Sequence, residues 1–122
     1  MNEIIDKINR RVKDFKYLEF SIFSYSGHQL TIVGSQDILY YSSFEINFHN
    51  VFAIMCKSDW KADTTNDCIT ILNTGEEFHD FNLKYGVEVG FSIFKIISED
   101  GELFFVIAEG ISFVERVTRK ID

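Results

Sequence analysis

Proline is missing from all 122 residues, where ordinary usage of about 5% would supply roughly six. Its absence excludes PxxP ligands and proline-rich linkers. Cysteine is scarce: Cys56 and Cys68 are the only two, too few for a disulfide-stapled scaffold, and they read as buried free thiols. Long hydrophobic runs are lacking as well. The longest stretch free of Asp, Glu, Lys and Arg runs from Phe20 to Gln36, and its Ser, Gly, His and Gln make it too short and too polar to span a bilayer. The opening MNEIIDKINRR carries charges at positions 3, 6, 7, 10 and 11 and has no apolar h-region, so no signal peptide is expected. These absences lead to the expectation of a soluble, cytoplasmic protein. Few alanines beside many Ile, Phe, Asn and Lys suit AT-rich coding, hence a low-GC bacterial source.

Aromatic side chains are plentiful. They make up 16% of the chain, with thirteen Phe, a bias that favours sheet and supplies large areas for burial. Apolar residues at 46% and charged residues at 25% are ordinary globular values. A chain of this length fits one domain, 1–122, and buries about two-thirds of its unfolded surface.

The net charge is −7. Residues 1–16 hold five basic and three acidic side chains, a local +2, so the other 106 carry −9. A body this acidic repels phosphate backbones, and nucleic-acid binding is not expected. Membrane binding is not expected either. Ile4, Ile8, Val12 and Phe15, widened by Ile5, form one apolar stripe, which predicts an N-terminal amphipathic helix with Asn2 as N-cap. The stripe lacks Trp, so it reads as a face packed on a sheet.

Beyond the helix the apolar period becomes two. Leu18 to Tyr25 and Leu30 to Val33 flank a Ser-Gly-His turn, predicting a hairpin. Phe44, Ile46 and Phe48 alternate with polar residues. His49-Asn50 then reads as a tight turn leading into a return strand, Val51 to Cys56, with Val51, Ala53 and Met55 on the core side. SDWKADTTND reads as a loop, CITIL as a short strand and NTGEEFHDFN as a second polar loop. From Val87 strand character runs through Asp100-Gly101 to about Phe113, while Val114, Val117 and Ile121 also suit a short helix. A two-residue turn at Asp100-Gly101 pairs Ile97 with Phe104, Ile96 with Phe105 and Phe94 with Ile107, leaving both faces of the hairpin apolar. The expected class is α+β: an N-terminal amphipathic helix packed on a mainly antiparallel, curved meander sheet of about six to eight strands, as in a half-barrel.

Catalytic and cofactor motifs are lacking, and no cofactor is expected. An EF-hand template laid from Asp63 places Thr65 and Asp67 well. It then fails at Cys68, where Gly is needed, and at Thr74, where Glu should close the site, so no metal is expected. EEFHDF is the densest cluster of reactive groups: His79 beside Asp80 forms a candidate acid–base pair, with Glu76 assisting. A solvated loop explains the same residues. His28 and His49 fall at predicted turns, with nothing to bring them to His79. Exposed acidic and aromatic side chains suit contact with a basic protein, and Asp37, Tyr40, Tyr41, Asp59, Trp60 and Asp63 are the candidate contacts. Trp60 also reads as a hydrophobic anchor at a sheet end.

The expected function is therefore a non-catalytic protein-binding or structural domain, such as an immunity-type inhibitor of a basic partner. A β-rich carrier for a small apolar ligand and an enzyme using His79 are the alternatives. The doubly apolar hairpin, 91–110, predicts a homodimer through its sheet unless the sheet curls over its own second face.

Overall fold

Helix α1, Asn2–Val12, forms where the stripe predicts it. Met1 takes the N-cap position in place of Asn2, and no side chain caps the first turn. Ile5, Ile8, Asn9 and Val12 are buried, and the helix packs on strands at one side of a seven-stranded sheet. The coordinates are a computed structural model describing residues 1–36 and 43–115. The chain continues through β1 (Glu19–Ser26), β2 (Gln29–Ser35), β3 (Phe44–Met55), β4 (Asp59–Lys61), β5 (Ile69–Leu72), α2 (Gly75–Tyr85), β6 (Ser92–Ile97) and β7 (Leu103–Val114). The expected strand at 69–72 is present, and the loop expected before it contains the three-residue β4.

All neighbours in the order β4-β1-β2-β3-β7-β6-β5 pair antiparallel. The sheet curls as a half-barrel. Ala62, just past β4, bridges to Ser98, just past β6, and the Glu99 N–H donates to the Lys61 carbonyl at 2.9 Å. The end strand β4 therefore meets the corner just past β6, the strand next to the other end.

The concave side is the core. Phe20, Phe44, Phe48 and Phe94 are fully buried there. Their rings meet edge-on, Phe20 to Phe44 at 5.9 Å and Phe48 to Phe94 at 5.1 Å, an arrangement favoured by the ring quadrupole. Gly34 makes room for Phe44, because a Cβ at Gly34 would lie 2.5 Å from its Cε1 and Cζ.

Two expectations of phase are corrected. His49-Asn50 is not a hairpin turn: β3 runs straight through it. The left-handed backbone of Asn50, φ 51°, serves a bulge, and the register jumps between Val51 and Ala53. The extra residue turns Ala53 and Met55 outward, against expectation, and brings Ile54 to the core side. At the second hairpin the loop has three residues, not two. Ser98 N–H bonds the Glu102 carbonyl at 2.9 Å, and Gly101 takes φ 82°, the turn-plus-bulge form. Ile96 therefore pairs with Phe104 and Phe94 with Val106. A one-residue slip exchanges faces, so Phe105 and Ile107 point outward.

The third correction is α2, expected as loop. Phe78, Phe81 and Tyr85 recur at helical spacing, Glu76 and Glu77 sit in the first turn, and Gly86 ends the helix in the left-handed region at φ 62°. The alternative helix around Val114 to Ile121 lies mostly outside the described residues; Val114 itself ends β7.

Candidate functional site

Helix α2 lies on the convex face of the sheet. Phe81 stacks on Phe105 with centroids 4.7 Å apart, and Tyr85 stacks on Phe81 at the same distance. Glu77 Oε1 accepts from Lys95 Nζ at 2.9 Å, and the Lys95 side chain is only 19% exposed, so β6 is tied to the helix by a half-buried ion pair. No residue of α2 is itself buried. The helix is thus an addition to the outer face and leaves part of that face open.

What it leaves open is a groove of about 340 Å³ with Met55 and Phe105 on its floor and Glu77, Asp80, Phe81, Lys84 and Tyr85 along its α2 wall. Further along the same strands Phe52 is 53% exposed, and its ring meets Phe91 at 6.0 Å. Phe52 is the extra residue at the β3 bulge. Met55 faces out because of that bulge, and Phe105 because of the three-residue loop. Neither orientation was visible in the alternation of the sequence.

No family model, curated protein or solved structure matches this chain. The site is therefore read from its own chemistry.

Of the residues singled out from sequence, Asp80 lines the groove. Glu76 and His79 stand exposed elsewhere on α2. Among the described residues, no three His, Cys, Asp or Glu side chains are grouped to hold a metal ion. Asp59 is exposed on β4. Asp63 is bound up in its own turn, accepting from the N–H of Thr65 at 2.9 Å and of Asn66 at 3.1 Å. The Thr65 N–H leads the bonds that hold its carboxyl down to about 2. Trp60 is buried against Phe104, with centroids 4.9 Å apart, the position of an anchor closing the sheet end. Asp37, Tyr40 and Tyr41 lie outside the described residues.

His49 carries a feature that sequence reasoning missed. Its Nε2 is 2.9 Å from Ser112 Oγ, on the convex face beside Thr31 and Asn47, whose side chains bond each other at 2.7 Å. Gly110 pairs with His49 across the ladder. The His49–Ser112 pair resembles a nucleophile and its base, but a hydroxyl beside an imidazole is only two of the groups a nucleophilic site requires. The two cysteines are poor nucleophiles at neutral pH. Burial pushes the Cys56 thiol up to about 11 and the Cys68 thiol up to about 12. Inside the curl the void among Phe20, Ile46, Trp60 and Ile96 measures about 10 Å³, roughly one water.

Proposed function

We propose that the protein is a non-catalytic binding domain whose partner is another protein, docked on the convex face beside α2, in the manner of an inhibitor that covers a basic target. The half-covered aromatic face is the observation that carries this reading: Phe52, Met55, Phe81, Tyr85 and Phe105 share one side of the molecule, and exposed aromatic and Met side chains are the usual anchors of protein interfaces. The net charge of −7 gives such a domain long-range attraction for a cationic partner. The filled interior gives a ligand carrier no support, and the exposed setting of His79 gives an enzyme none.

The test is co-expression with the products of the genes beside its own. A complex that survives purification from wild-type protein and is lost with Phe52→Asp is the expected result. A turnover activity abolished by His79→Ala would overturn the reading.

A further inference from the structure

Four strands, β3, β7, β6 and β5, form the part of the convex face that carries α2. At about 4.8 Å per strand they present a width of roughly 19 Å. A helix with its side chains is about 10–12 Å wide, so one helix covers little more than half. Helix α2 sits to one side, touching β5, holding Lys95 of β6 through Glu77 and meeting Phe105 of β7, and Ile93 and Ile107 on the same face are fully buried. The strip left over β3 and the near edge of β7 is roughly 8 Å across, which seats a second helix at the 8–10 Å spacing of interdigitated helices. Its apolar lining is Met55 and Phe105 beneath and Phe81 and Tyr85 at the side, with Glu77, Asp80 and Lys84 along the α2 wall. Phe52 stands at its far end.

The charges around the seat choose its occupant. Glu77 is neutralised by Lys95. Of the rest, Asp80 and Lys84 stand on the α2 wall, while the Glu109 carboxylate accepts from the Asn50 amide beside Phe52. Two carboxylates, Asp80 and Glu109, thus stand against one lysine, a local −1. A second copy of this chain brings −7 of like charge, and an extended strand would leave the ridge-and-groove surface beside α2 unfilled. Resting on the protein-binding reading, we infer that the seat takes a cationic amphipathic helix from the partner, its apolar stripe on Phe52, Met55 and Phe105 and its lysines or arginines toward Asp80 and Glu109.

Two synthetic peptides with the same helical apolar stripe, one with lysine and one with glutamate on the polar face, are titrated against the whole protein by fluorescence anisotropy. The lysine peptide is expected to bind at least tenfold more tightly than the glutamate peptide. Phe52→Asp should weaken the lysine peptide at least tenfold, although the added negative charge alone would strengthen it. Asp80→Lys should weaken it several-fold and flatten its salt dependence. Both positions are exposed, and an unchanged thermal transition verifies each fold. Failure of the lysine peptide to bind, equal binding of the glutamate peptide, or indifference to Phe52→Asp overturns the inference. A doubled mass in light scattering that Phe52→Asp abolishes gives the seat to a second copy and also overturns it. If a natural partner is lost with Phe52→Asp but presents a strand or an acidic segment, the cationic helix is wrong while the protein-binding reading stands. If the partner ignores Phe52→Asp, both fall.

Discussion

Asn9 occupies a position on α1 where the buried stripe calls for an apolar side chain, between Ile5, Ile8 and Val12. Its amide does for β5 what another strand would do. Oδ1 accepts from the N–H of Cys68 at 3.0 Å and of Ile69 at 3.1 Å, and Nδ2 donates to the Ile69 carbonyl at 2.9 Å. A neutral amide offers both a donor and an acceptor, so it satisfies the open edge of β5 at its first residue, Ile69. Asn9→Leu should destabilise the fold by about 2–4 kcal/mol in urea titration, because three buried backbone groups lose their partner at once. Asn9→Asp should do no better, since it loses the donor and buries a charge. Gly34 is the other residue with no substitute. Gly34→Ala should lose about 1–3 kcal/mol through overpacking on Phe44, and the double variant with Phe44→Leu should recover part of it. Asp63 supplies a pH signature. Its carboxyl is held at about 2 against an ordinary 3.8, so its contribution is present above pH 4 and disappears as pH falls toward 2. Asp63→Ala should therefore be less stable than wild type at pH 6 and indistinguishable from it near pH 2. The difference at pH 6 should be small, because the group is largely exposed and solvent-screened.

The elements follow the apolar periods, with informative exceptions. Helix α1, the first hairpin, the α+β class and the curled antiparallel sheet were legible because long periodic stretches commit many side chains to one face at once. Ile8→Asp should unfold the protein or detach α1, as it drives a charge into a position with no exposure; an unchanged melting curve would remove α1 from the core. Helix α2 was not legible. EEFHDFN is mostly polar, and the three aromatic residues of α2 cover only a narrow stripe, yet the Phe78, Phe81 and Tyr85 spacing ahead of Gly86 held the signal. The site itself was hidden by phase. Alternation names which residues share a face within a run, but a bulge after Asn50 and one extra loop residue before Gly101 each exchange inside for outside, and no periodicity reports them. Because α2 is held by Phe81 and by the Glu77–Lys95 pair, Phe81→Ser should loosen that helix alone. Hydrogen exchange should quicken across 75–85 while β3 and β7 keep their protection.

At the scale of the whole molecule, the question is what covers a sheet that is apolar on both sides. The curl answers for one side: Phe94, Ile96, Phe104 and Val106, half of the surface that suggested a dimer, are inside the protein's own core. Helix α2 answers for part of the other. The remainder, a strip about one helix wide, is small beside the roughly 800 Å² per partner of a stable interface, and each copy carries −7. At low ionic strength, where the Debye length exceeds about 10 Å, like charge opposes the approach of two copies. Light scattering at micromolar concentration should give the mass of one chain, 14.2 kDa, and should continue to do so when salt screens the repulsion. A dimer that appears only at high salt would mean that charge alone keeps the open strip from pairing with itself. A dimer at every salt concentration that also withstands Phe52→Asp would place self-association on a different surface and leave the seat beside α2 free for a cationic partner.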